Sequence, residues 1–128
     1  MELKDHLNPA KCVYCSYENG NTQTESIIIA LESAIDECHR LGQDHVLLDY
    51  QSRTSYPAAV EHIIVATELA NLYRKHLATD GNPIKFALFT RKNLITRNFQ
   101  PGLDIARLED IDLINTDDEA EILVWLND

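Results

Sequence analysis

Basic residues are scarce in this chain. Eleven Lys and Arg stand against twenty-one Asp and Glu, which leaves a net charge of −10. The resulting field repels phosphate backbones and anionic lipid heads, so general nucleic-acid binding is not expected. Cysteine is also scarce: three residues are an odd number, too few for a disulfide framework and consistent with a reducing compartment. Cys12 and Cys15 form a C-x-x-C. The surrounding segment reads as extended, however, and residues three apart in a strand point to opposite faces, which favours two inert cysteines over a redox or metal-binding pair. No second cysteine pair completes a zinc site, and no metal is expected. None of the four glycines falls in a G-x-G-x-x-G or Walker pattern, which disfavours nucleotide hydrolysis, and no cofactor is expected. No apolar run approaches the roughly 18 residues of a spanning helix, and the start at Met1 to His6 lacks the apolar segment of a secretory signal. The expectation is a cytoplasmic protein with no membrane insertion.

What is present is a domain-sized chain of 128 residues, 45% apolar and 25% charged. Those values fit one globular unit, residues 1–128, with no internal repeat or linker. Its centre is the stretch from His45 to Pro57. Val46, Leu47 and Leu48 form an uninterrupted apolar run suited to a strand covered on both faces, and Pro57 sits where a first helical turn tolerates it. Between them lie Ser52, Arg53, Thr54 and Ser55, four consecutive side chains with donors. In an open α/β sheet such a loop lies at the carboxyl end of a strand, the usual edge for a ligand or partner.

The remaining chain alternates. A strand is expected over Lys11 to Tyr17, after a short strand that residues 1–9 can form. Thr22-Gln23-Thr24-Glu25 reads as a capping box opening a helix to Leu41, stopped at Gly42. On that helix Ile27, Ile28, Leu31, Ala34, Ile35, Cys38 and Leu41 share a face, with Glu25, Glu32, Ser33, Asp36, Glu37 and Arg40 opposite. The helix from Tyr56 to Leu77 gathers Ala59, Ile63, Val65, Ala66, Leu69, Ala70, Leu72 and Tyr73 on an apolar arc. Glu61, Glu68 and Lys75 define its wet side, His62 falls near the centre of the arc, and Val60 and Ile64 fall outside it, beside Thr67 and Asn71. Ile84 to Thr90 reads as a second buried strand, joined to the first by a right-handed parallel crossover. Leu94 to Phe99 and Leu103 to Leu108 read as short helices separated by a break at Pro101-Gly102. Ile111 to Asn115 reads as a last strand. Thr116-Asp117-Asp118-Glu119 repeats the capping box before a final helix carrying Ala120, Ile122, Leu123, Val124, Trp125 and Leu126. The expected fold class is α/β: a small mixed, mostly parallel sheet of four to five strands with about four helices, its N-terminal strand antiparallel at one side.

This order of elements resembles the STAS-like domain family, found in sulphate transporters and anti-sigma-factor antagonists, and especially its stand-alone bacterial branch similar to the sporulation anti-sigma-factor antagonist. The likeness covers residues 10–127. It rests on Tyr17-Glu18-Asn19-Gly20, Thr22 to Leu41, His45-Val46-Leu47-Leu48-Asp49-Tyr50, Lys85-Phe86-Ala87-Leu88-Phe89 and the run from Asp117 to Leu126. It implies a non-enzymatic regulatory protein-binding module, with a phosphorylated serine at the start of the helix after the central strand. That region here reads Thr54-Ser55-Tyr56-Pro57, without the acidic residue before the serine or the glycine after it that the family's Asp-Ser-Ser-Gly-type motif carries.

Each candidate residue has a plain reading beside its functional one. Ser55 is an N-cap by position; as a kinase substrate it, Thr54 or Ser52 would place a phosphate at the positive end of the helix, near Arg53. Arg91 and Lys92 follow the second parallel strand and so share an edge with the Ser52 to Ser55 loop. They hold an anion there or simply keep a strand end from pairing. His62 is a core-edge histidine, or a base if a serine lies within reach, although no G-x-S-x-G elbow accompanies it. Asp49 caps the loop at the strand end. Val60 and Ile64 are buried by a rotated helix or exposed; if exposed, with Ile29 also off the buried face of its own helix, they suit a protein partner or a second copy of the chain. Two functional readings follow: a protein-binding module using the Ser52 to Ile64 loop and helix, or a binder of a small anionic or lipidic ligand, or modest enzyme, using a crevice lined by Asp49, Ser52, Arg53, Ser55, His62, Arg91 and Lys92.

Overall fold

The computed structural model describes residues 12–16, 24–50, 59–90 and 100–127. Strands and helices alternate through them: β1 (Cys12–Ser16), α1 (Thr24–Leu41), β2 (His45–Asp49), α2 (Ala59–Ala78), β3 (Lys85–Phe89), α3 (Gln100–Leu108), β4 (Asp112–Thr116) and α4 (Glu119–Leu126). The four strands form one sheet in the order β1-β2-β3-β4. All three pairings are parallel, with Cys12 opposite His45, His45 opposite Lys85 and Lys85 opposite Asp112. The antiparallel start expected from the sequence is therefore corrected: β1 runs with its neighbour, because a full helix lies between them and carries the chain back to the same end.

Since each crossover joins adjacent parallel strands, right-handedness puts α1, α2 and α3 on one face of the sheet. The cores confirm it. Val13, Val46, Leu48, Phe86 and Leu88 pack with Ile27, Leu31, Ile35, Leu69, Tyr73 and Ala106. On the opposite face Cys12, Leu47, Ala87 and Phe89 pack with Ile122, Trp125 and Leu126 of α4. Neighbours along each strand belong to different cores, as a period of two requires. Cys12 and Cys15 accordingly face opposite ways, the first in the α4 core and the second against the core of the three helices.

The three crossover helices end in the same way. Gln43 N donates to Cys38 O at 3.0 Å, Gly81 N to His76 O at 2.9 Å and Ile111 N to Ala106 O at 2.9 Å, each closing a Schellman turn. The left-handed residue of each turn is Gly42 (φ 68), Asp80 (φ 65) and Asp110 (φ 57). The turn beyond α2 is tight: a Cβ on Gly81 would lie 2.3 Å from the His76 ring, whose Nε2 approaches Asn82 O at 2.7 Å.

Several boundaries differ from the sequence pattern for identifiable reasons. Pro101-Gly102 does not break a helix; both residues lie in the first turn of α3, where a proline's missing N–H has no intrahelical partner to lose. The N-cap of α4 is Asp118, whose side chain accepts from Ala120 N. Thr116 stays at the end of β4, and its hydroxyl accepts from Asp118 N at 3.0 Å. Leu41, the last residue of α1, is exposed. Ile63 is exposed on α2, whereas Glu61 and Glu68 are half-buried; Glu61 accepts from Thr24 Oγ1 at 3.3 Å, which draws it toward α1. The expected helix over 94–99 and the strand in 1–9 lie outside the described residues.

Burial pushes the Cys12 thiol up to about 12, Cys15 to about 11 and Cys38 to about 12. Native protein at pH 8 should therefore react with Ellman's reagent far more slowly than urea-unfolded protein, which should release all three thiols at the rate of a free cysteine; a fast native phase would contradict this packing. Asp110→Gly should raise stability to urea by about 0.5–1 kcal/mol, because it relieves the left-handed strain and removes a negative charge from a helix C-terminus. Gly42→Ala should lower stability by about 1 kcal/mol.

Candidate functional site

The carboxyl rim of the sheet is where the sequence placed its functional residues, and β2 and β3 do emerge there together. Asp49 pairs with Phe89, Tyr50 N donates to Phe89 O at 2.8 Å, and Thr90 N donates to Thr116 O at 3.0 Å. Tyr50 and Thr90 thus leave neighbouring strands at one edge, both buried. The Thr90 hydroxyl donates to Asn115 Oδ1 at 3.2 Å, tying the rim of β3 to β4.

Of the ten residues singled out, Asp49, Val60, His62 and Ile64 are described, whereas Ser52, Arg53, Thr54, Ser55, Arg91 and Lys92 lie outside the described residues. The described four do not form one group. Leu48 faces the core of the three helices, so Asp49, the next residue, turns to the α4 face. There its carboxylate accepts from the Tyr14 hydroxyl. His62 is on the other side of the sheet, and the expectation that Asp49 and His62 line one crevice is corrected by that alternation.

His62 is buried, as its place on the apolar arc of α2 implies. It lines a crevice between α1, α2, α3 and the sheet, whose empty space, with the open solvent at its mouth, is about 500 Å³. The floor is Leu48, Leu88 and Leu113, the walls are Leu31, Val65, Ala66, Leu69 and Leu103, and Tyr50 and His62 are the two side chains with polar tips. Gly102 admits the close approach of α3: a Cβ there would lie 3.1 Å from the His62 carbonyl oxygen. The sequence did not point to Leu31, Gly102, Leu103 or Leu113 as crevice residues. The available signal was Gly102 itself, since a glycine in a helical turn marks a near neighbour.

Outside the crevice the first turns of α2 present an apolar ridge. Val60 is 60% exposed, Ile64 46% and Ile63 36%, and Thr67, Asn71 and Arg74 continue the exposed line. The rotated-helix alternative does not hold for Val60 and Ile64. Ile29 on α1 is likewise exposed. Arg74 closes the polar end of this line by pairing with Glu109 at 2.8 Å.

Among the described residues no three His, Cys, Asp or Glu side chains are placed to hold a metal ion, and no helix is long and apolar enough to cross a membrane. No family model matches the chain, and no curated protein is significantly similar to it.

Tyr14→Phe should cost about 1–2 kcal/mol in urea titration, because the half-buried Asp49 carboxylate loses a donor. Gly102→Val should push α3 from α2 and lower stability by about 1–3 kcal/mol. Pro101→Ala in the same turn, which adds no bulk toward His62, is the control and should shift stability by less.

Proposed function

We propose that the chain is a non-enzymatic protein-binding module, regulatory in the manner of the STAS-like anti-sigma-factor antagonists that its element order resembles, engaging a protein partner through the segment after β2 and the first turns of α2. The observation that carries this reading is the apolar ridge of Val60, Ile63 and Ile64, beginning at the carboxyl rim. A monomeric surface keeps aliphatic side chains grouped in this way chiefly where another surface covers them. With a net charge of −10, the fitting partner is a protein with an apolar centre and a basic rim, drawn in by long-range attraction. Phosphorylation of Ser55, Thr54 or Ser52 is the corresponding means of regulation, since a dianion at the edge of the ridge would repel an apolar contact.

The test is affinity capture from native lysate with wild-type protein and with Ile64→Glu and Val60→Glu, whose exposed positions leave thermal unfolding nearly unchanged. A partner held by the wild type and lost from both variants is expected. Equal capture by all three would overturn the reading.

A second reading is supported by the crevice. Its lining is aliphatic apart from Tyr50 and His62, so of the anionic and lipidic ligands that a rim site suggests, an acyl chain fits better. A medium-chain fatty acid should then raise the melting temperature, whereas inorganic phosphate should not, and Leu103→Trp should remove the shift by filling the space.

A further inference from the structure

The outer edge of β4 carries main-chain groups directed away from the sheet. In a parallel ladder a residue aims its N–H and C=O at one neighbour, and the next residue aims its own the other way. The Thr116 carbonyl accepts from Thr90 N, so Thr116, Ile114 and Asp112 address β3, while Leu113 and Asn115 point outward. Among the described residues β3 is the one strand paired with β4, and neither Leu113 nor Asn115 makes a further main-chain hydrogen bond. The strand carries few of the usual protections of an edge: Asp112 is its one charged residue. It contains no lysine, proline or bulge in Asp112–Thr116, and its side chains at 113–115 stay half-buried. Beside it, Ile114, Ala120, Val124 and Trp125, together with the acidic Asp118 and Glu121, line a shallow groove on the α4 face, with Val124 69% exposed.

We propose that β4 pairs antiparallel with β4 of a second copy of this chain, about a two-fold axis at Ile114, so that two sheets become one. The choice of a second copy rests on how this short strand complements itself. An axis at Ile114 sets Leu113 of each copy opposite Asn115 of the other, and these are the two residues whose main-chain groups face outward. Each such pair exchanges both of its bonds. Asp112, the strand's one charged residue, meets the hydroxyl-bearing Thr116 rather than another carboxylate. The two Ile114 side chains meet as a closely spaced non-hydrogen-bonded pair on the α4 face, where the grooves containing Val124 adjoin. A net charge of −10 on each copy, with Asp118 and Glu121 in the groove itself, opposes the contact, so added salt strengthens it.

Sedimentation velocity from micromolar to millimolar protein tests this. The expected result is a dimer fraction that rises with concentration and with salt and is reduced about tenfold in association constant by Val124→Glu, which places like charges beside the axis on an already exposed position. Asn115→Pro, which removes an outward N–H, should reduce it as well. Ile114→Cys should form a disulfide-linked dimer under mild oxidation about tenfold faster than Leu108→Cys, a highly exposed position off the strand, because the paired Cα atoms fall within disulfide range. Of the native thiols Cys12 and Cys38 are buried and Cys15 is half-buried, and the chain without the added cysteine gives the background rate. A monomer throughout the range at high salt, equal cross-linking at 108 and 114, or a dimer indifferent to Val124→Glu would each overturn the proposal. Because this edge is separate from the α2 ridge, Ile64→Glu should leave the dimer intact; a dimer lost in Ile64→Glu and kept in Val124→Glu would assign self-association to α2 instead.

Discussion

The burial of β2 on both faces is the constraint from which the other elements take their positions. His45, Val46, Leu47 and Leu48 are all buried, so neither face of this strand can be left to solvent, and helices must cover both. Hydrogen bonds to β1 on one side and β3 on the other hold three strands in a single register. With the register fixed, the alternation of side chains decides which chemistry meets which layer. Leu48 lies under α2 and α3, whereas Leu47 and Asp49 belong to the α4 side. The separation of His62 from Asp49 is a direct consequence of that period and does not depend on loop conformation.

Much of this architecture was legible in the sequence because it rests on strong local signals. The apolar run at Val46 to Leu48, the long periodic patterns of α1 and α2 and the glycine at position 42 all specify structure within a few residues. The outward placement of Val60 and Ile64 followed from the same angular count. What was misread depended on distant partners. Pro101-Gly102 looks like a break when read locally; in the fold it begins a helix that must approach the His62 backbone. Thr116 matches a capping pattern, but its place at the end of a strand leaves Asp118 to cap α4. Glu61 reads as a wet-face residue until Thr24 is brought beside it by the packing of α1 on α2.

The candidate site was legible as an edge and not as a set of partners. Strand order alone brings Tyr50 and Thr90 to the same rim, since parallel strands joined by helices must end on one side. Which side chains share a crevice depends on how α1, α2 and α3 pack on the sheet, and no sequence spacing encodes that Leu31 of α1 and Leu113 of β4 line one cavity. The two buried histidines of the opposite pole illustrate the same limit. His76 lies over Gly81 and edge-on to His39 at 5.4 Å, and His45 meets Trp125 edge-on at 4.8 Å while its Nδ1 approaches Asp44 at 2.6 Å. Both histidines serve packing, and composition would not have distinguished them from His62.

The spatial sequence of the strands matches their order along the chain, and that has a consequence for how the molecule is made. Each strand finds its partner in the one synthesised just before it, so loop closure never spans more than a single crossover, and its entropic cost stays nearly constant from one step to the next. A nascent chain emerging N-terminus first can extend the sheet one strand at a time, without holding an unpaired gap for a segment yet to appear. Assembly of this kind exposes one growing border at each stage, and β4 is the last border to form.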